Sequence, residues 1–144
     1  HQYNTKKDTK LYLRRPNEEN TWRKIINADE IRDMAIKNNY KVIEMGKLKQ
    51  EEQLNLLANC KNIIVEAGAD SLAPSLCPSG ANVIEMIPEG LVGGFGSASS
   101  HLALKHRYKR IVGKKSETNR GVFEIDKDYT INAKVFQKEL EEIG

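Results

Sequence analysis

Four groups of residues carry types that can do chemistry. The first is the loop Glu66-Ala-Gly-Ala-Asp-Ser71, between an apolar run ending at Val65 and the next predicted helix. Gly68 there lets backbone approach a ligand closely, and the amides around Ser71 open a helix, where a phosphate is accepted. Asp70 competes with an anion for that terminus, and the plain alternative is that Gly68 only makes a tight turn. The second group is Arg14, Arg15, Arg23 and Lys24. Guanidinium groups clamp diphosphates through paired N–H donors. Arg14 and Arg15 fall at the C-terminal end of a predicted first strand, the edge where open sheets bind ligands. For Arg14, Arg23 and Lys24 taken singly a solvated patch is the simpler reading; Arg15, before Pro16, is the stronger candidate. The third is His101 with His106, five apart on a predicted helix and so on different faces, which reads as two surface histidines. The fourth is Glu85, in the strand Asn82–Met86, placed either to hold ribose hydroxyls or to pair within the sheet.

The elements that position these residues follow from periodicity and caps. KLYLR over Lys10–Arg14 reads as a strand, KVIEM over Lys41–Met45 as a second, Ile63–Val65 as a third, Val83–Ile87 as a fourth and Tyr108–Val112 as a fifth. Asn27-Ala-Asp-Glu30 has the form of a helix start: Asn27 to cap, Glu30 to reach back, Asp29 at the positive end of the dipole. Ile31, Met34 and Ala35 form the apolar face of that helix, and Asn38–Asn39 end it. Glu51–Asn59 is a second helix facing inward through Leu54, Leu57 and Ala58. Ser97–Lys105 is a further helix, and Asn132 caps a last one whose inner face is Phe136, Leu140 and Ile143. Val122–Ile125 reads as a short edge strand or an ordered loop, and Pro88–Ser100 as a long glycine-rich loop. This alternation predicts an α/β fold, an open, mostly parallel sheet with helices on both faces.

Bulk properties narrow the classes. With 39% hydrophobic and 30% charged residues in 144, the chain builds a core rather than staying disordered. A net charge of +3 is too mild to call for nucleic acid as a partner. No apolar run approaches membrane-spanning length, so no transmembrane segment is expected. The start HQYNTKKDTK has no apolar core of a signal peptide, and residues 1–9 read as a polar tail or an expression remnant ahead of a domain over 10–144. Cys60 and Cys77 have no metal-ligand spacing and read as buried small residues of a reducing compartment.

Taken together, several segments resemble glycosyltransferase family 61. KLYLRRPN followed by WRKIINADEI is similar to the opening of that family's catalytic domain. KVIEMGKLKQEEQLNLLANCKNIIV is similar to its strand, its Leu-Ser-Phe-Glu-Glu-Gln helix and the strand after it. SLCPSGANVIEM resembles its Leu-Phe-Cys-Pro-Pro-Gly-Thr-Lys-Val-Ile-Glu-Ile segment, and HRYKRIVG with VFEIDKD and FQKELEEI resembles the tails of its bacterial, polysaccharide-building members. The resemblance runs from Lys10 to Ile143 and rests on the order of the segments more than on any one of them.

The resemblance implies the Rossmann-like, C-terminal half of a GT-B transferase, which binds a nucleotide sugar. It implies a glycan acceptor bound through an N-terminal half that this chain lacks, and no metal or other cofactor. It implies a role in surface or capsular polysaccharide assembly, in the cytoplasm or at its membrane face. Carried over residue by residue, Arg15 matches the family's Ser-Arg arginine, Arg23 or Lys24 its second basic position, Gly68 the first glycine of its His-Gly-Ala-Gly loop and Glu85 the Val-Ile-Glu glutamate. The motif's histidine falls at Ala67, its second glycine at Asp70 and a downstream asparagine at Ala73. Glu66 is then the nearest candidate for a catalytic base. The alternative is a degenerate, non-catalytic scaffold that pairs with an active subunit. A response-regulator-like module would need acidic residues after the first strand, where this chain has Arg14 and Arg15.

Overall fold

A computed structural model describes residues 9–16, 23–90, 105–119 and 127–144. Six strands form one sheet in the order β2-β1-β3-β4-β5-β6. They are β1 (Thr9–Leu13), β2 (Lys41–Ile43), β3 (Cys60–Glu66), β4 (Asn82–Pro88), β5 (Arg107–Asn119) and β6 (Lys127–Thr130). The first five are parallel and β6 runs antiparallel to the far half of β5, so the expected mostly parallel α/β sheet is what forms. Three α-helices accompany it: α1 (Ala28–Lys37), α2 (Gln50–Ala58) and α3 (Ala133–Ile143); 3-10 turns cover Met45–Lys47 and Ala69–Leu76.

The topology places the helices. From β1 the chain crosses outward to β2, then back past β1 to β3. Right-handed crossovers taken in opposite directions put their helices on opposite faces. Accordingly Tyr12, Ile64, Ile84 and Met86 pack with Ile31 and Ala35 of α1 and Phe136 and Leu140 of α3. Leu11, Leu13, Ile63, Val65 and Val83 pack on the other face with Leu57 of α2 and Cys77. Strands covered on both faces read as unbroken apolar runs, which is why Ile63–Val65 was recognisable. Burying each large side chain of this kind contributes about 1.5–3 kcal/mol.

Several local expectations change. Asn27 does not cap α1 with its side chain. Its Nδ2 donates to Ile131 O (2.8 Å) and its Oδ1 accepts from Ile131 N (3.1 Å), so it clasps the segment after β6. Glu30 receives the Asn27 amide rather than its backbone N–H. The inner face of α2 is narrower than expected: Leu57 is buried, Leu54 is 46% exposed and Ala58 is exposed, because Leu56 takes the second packing position. His106 is buried, with Nε2 3.3 Å from Cys77 O, rather than on the surface. The Asn132 cap is as expected, accepting from Val135 N at 3.1 Å. Cys60 and Cys77 are free and buried; a hydrogen bond to Cys77, then burial, pushes the Cys60 thiol up. Residues 97–104 of the expected Ser97–Lys105 helix, with His101, the segment Val122–Ile125, Trp22 and most of the glycine-rich loop lie outside the described residues; Lys105 is a turn residue with φ 59°.

β6 was not anticipated. It folds the sheet's edge back over α1's lead-in: Tyr129 N donates to Lys24 O (3.0 Å) and Ile26 N donates to Tyr129 O (2.7 Å). Gly113 makes the bend feasible. A Cβ there would overlap the Tyr129 ring and lie 2.9 Å from Thr130 O.

Candidate functional site

Opposite crossovers leave a crevice between the C-terminal ends of β1 and β3, the switch point of the sheet. Arg14 and Arg15 leave β1 on one side of it; on the other, Glu66 ends β3 and Ala67 and Gly68 leave it. β3 ends because Gly68 turns away at φ +155°, a backbone conformation glycine holds most easily. Arg15 lies against that turn: a Cβ on Gly68 would be 2.9 Å from Arg15 Nε and 3.3 Å from its Cζ.

Glu66 is the anchor of the crevice. It is buried, and four donors reach its two oxygens. Oε1 accepts from Arg15 N (2.9 Å) and Arg32 NH2 (3.0 Å). Oε2 accepts from the Tyr12 hydroxyl (2.5 Å) and Arg32 Nε (3.1 Å). A carboxylate has about four acceptor positions, so this one is filled. Glu66 therefore has the coordination of a structural anchor, and its reading as a catalytic base loses its footing. Burial, then the charge and hydrogen bond of Glu66, hold the Tyr12 phenol well above its ordinary value, so it stays a donor. Burial alone would lower Arg32, but the hydrogen bonds and charge of Glu66 outweigh it and keep the guanidinium charged.

Tyr129 closes the crevice at the level of β4. Its hydroxyl donates to Met86 O (3.1 Å), which also accepts from Ala67 N (2.9 Å). Burial and the Glu66 charge raise its phenol, while Arg15 and Arg23 pull the other way. Two of the predicted basic residues thus act on one buried hydroxyl beside the crevice. Arg23 takes a left-handed backbone (φ 59°), which a non-glycine residue adopts only where its surroundings demand it. Here those surroundings are the pairing of Lys24 and Ile26 with Tyr129. Lys24 N also donates to Asp128 Oδ1 at 3.0 Å.

The structure thus brings Arg15, Gly68 and Glu66 together, with Arg23 near. Arg14 points elsewhere, into an ion pair with Glu44 at the end of β2. Ser71 lies within the 3-10 turn Ala69–Leu76, so the expected anion-accepting opening is one of 3-10 rather than α geometry. Glu85 lies on the opposite face of the sheet from Glu66, one register step earlier: it is level with Val65, whereas Glu66 is level with Met86. Its Oε1 accepts from Tyr108 OH (2.8 Å) and is 3.2 Å from Arg110 Nε. Ala67, at the position of the motif histidine, is buried against Ile87.

Sequence reasoning missed Tyr12 and Arg32. Tyr12 alternates with Leu11 and Leu13, which was legible as a residue of the opposite face. Arg32 borders the Ile31–Ala35 stripe of α1 and is buried beside it, and a lone arginine there gives no signal of its partner. A groove of about 360 Å³ runs between α1 and α3, lined by residues including Met34, Lys134 and Gln137, and contains none of the crevice residues.

Among the described residues no group of three or more His, Cys, Asp or Glu is placed to hold a metal ion, and no helix is long and apolar enough to cross a membrane. No curated protein matches the chain. The family profile for glycosyltransferase 61 matches residues 1–84, which carry Arg15, Arg23, Lys24, Glu66, Gly68 and Ser71 and stop one residue short of Glu85. The resemblance seen in the later segments lies beyond the match, but the matched part exceeds half the chain, and this protein belongs to glycosyltransferase family 61.

Proposed function

We propose that this chain is the nucleotide-sugar-binding domain of its transferase, and that the diphosphate of the donor sits in the crevice between β1 and β3. The observation that carries this is Arg15, half-buried at the switch point and lying against the bare backbone of Gly68. In the transfer, the bond from the sugar's anomeric carbon to the diphosphate oxygen breaks and a bond to an acceptor hydroxyl forms. Arg15, with Arg23 or Lys24 beside it, neutralises the charge that develops on the leaving diphosphate. The Gly68 turn and the amides near Ser71 approach the phosphates. Glu85, through Tyr108 and Arg110, ties β4 to β5 on the opposite face of the sheet and does not touch the diphosphate. The acceptor is a glycan held by an N-terminal half, and the setting is surface or capsular polysaccharide assembly at the cytoplasmic side. The base that takes the acceptor's proton comes from elsewhere than Glu66. A thermal-shift screen of the chain against the nucleoside diphosphates tests binding: a nucleotide-specific rise in the midpoint is expected, and no rise at millimolar concentrations of any of them would sink the reading.

A second reading keeps the fold and gives up the chemistry: a non-catalytic scaffold paired with an active subunit. Ala67 favours it, because a buried methyl group stands where the motif has a titratable ring. Incubating the full-length protein with labelled nucleotide sugars separates the two. Transfer or hydrolysis supports the enzyme; binding without turnover supports the scaffold.

A further inference from the structure

Arg14 N–H points to β2, donating to Ile43 O at 2.9 Å. In a parallel strand the next amide but one points the same way, so Arg15 N–H points to β3. The β1–β3 ladder has ended by then, at Leu13 and Val65, and β3 is about to turn away at Gly68. The Glu66 side chain takes over from the ladder, with Oε1 2.9 Å from Arg15 N. That carboxylate is itself held from three further directions, by Tyr12 once and Arg32 twice. A carboxylate serving only as core glue between Tyr12 and Arg32 would have no need of the loop amide of Arg15. On the other side, a Cβ at position 68 would stand 2.9 Å from Arg15 Nε and 3.3 Å from its Cζ, so a side chain there would move Arg15 from where it lies.

We propose that Glu66, locked by Tyr12 and Arg32, is a positioning residue that sets Arg15 before a diphosphate arrives, and that Gly68 is the bare surface on which the Arg15 side chain is laid. This rests on the reading of Arg15 as a diphosphate ligand. The gain is in order: a long side chain held in advance loses less freedom on binding. Neither Glu66 nor Arg32 touches the ligand; both act through Arg15.

The test is a calorimetric titration with inorganic pyrophosphate, which carries no base and so reads the diphosphate contact alone. Gly68→Ala should weaken binding about three- to tenfold, the size expected for one side chain that must be reordered. On an Arg15→Lys background, whose slimmer chain has no guanidinium against position 68, the same change should cost less than about twofold. Glu66→Gln, where it folds by thermal melt, should weaken binding by a similar factor. In the free wild-type protein the Arg15 Nε–H resonance should be sharp and slow to exchange, a signature that a role confined to the core would not produce. Equal losses from Gly68→Ala on both backgrounds, unchanged affinity in a folded Gly68→Ala chain, or a fast-exchanging Arg15 Nε–H would each overturn the positioning role. Wild-type protein that binds neither pyrophosphate nor any nucleoside diphosphate would instead overturn the underlying reading of Arg15.

Discussion

Glu66 and Glu85 stand on adjacent strands, each buried and each served by a tyrosine hydroxyl and an arginine. Their surroundings differ. Glu66 faces α1 at the end of β3; its arginine, Arg32, has a side chain only 10% exposed, and its fourth bond goes to the backbone of the loop that leaves β1. Glu85 sits within β4 on the other face; Arg110 is 20% exposed, donates to Tyr108 OH at 2.6 Å, and lies over the Tyr108 ring, 5.6 Å from its centre. The same three residue types thus do two jobs. One cluster fixes the rim of a crevice. The other ties β4 to β5 and stiffens the sheet. A buried Glu–Arg pair is therefore no sign of a site by itself; the bond to a loop amide at the switch point is what distinguishes Glu66.

The largest expected contrast is in stability. Arg32→Ala leaves the Glu66 charge buried without its partner and should cost about 3–5 kcal/mol. Arg110→Ala should cost about 1–2 kcal/mol, because water reaches that guanidinium and can take its place. Denaturant unfolding of both variants measures this, and equal costs would erase the distinction drawn here.

The tyrosines should follow in the same order. Tyr12→Phe removes a donor from a buried carboxylate whose four acceptor positions are all filled and should cost about 1–3 kcal/mol, whereas Tyr108→Phe, with Arg110 able to close on Glu85, should cost about 0.5–1.5 kcal/mol. A larger loss at Tyr108 would mean that the sheet cluster, not the crevice cluster, is the more tightly held.

The smallest effect concerns the Arg14–Glu44 pair at the rim, whose cations, Arg14 and Lys47, are 31% and 75% exposed. Its hydrogen bond from Arg14, assisted by Lys47, holds Glu44 below its ordinary value of 4.5. A carboxylate lowered by folding adds stability that is present above that ordinary value and is lost as the pH falls through the folded one. Unfolding midpoints compared between pH 7 and pH 3 should therefore fall slightly less for Glu44→Gln than for the wild type. An identical fall in both would remove Glu44 from the acid response.

Much of the fold was legible because its signals are local. Covered parallel strands show as Ile63–Val65 and Val83–Ile84, and Asn132 announced α3 with the cap it makes. The misreadings come where a distant partner decides. Asn27 had the form of a cap, but Ile131, over a hundred positions away, takes its side chain. Lys127–Thr130 has one large apolar residue and no strand pattern, yet the fit of Tyr129 over Gly113 makes it β6. At the crevice, Arg15 and Gly68 were visible as types suited to a phosphate, and the topology brings them together. The filled state of Glu66 was not visible, because it depends on Tyr12 and Arg32 meeting from separate elements.

The most direct measurement of the central claim is a calorimetric titration of wild type, Arg15→Ala and Arg110→Ala with the nucleoside diphosphate that gives the largest thermal shift. Arg15→Ala should weaken binding about tenfold or more, as expected for a lost charge-assisted hydrogen bond, and Arg110→Ala should stay within about twofold of wild type. Unchanged affinity in Arg15→Ala, or an equal loss in both variants, would contradict a diphosphate site at the β1–β3 crevice.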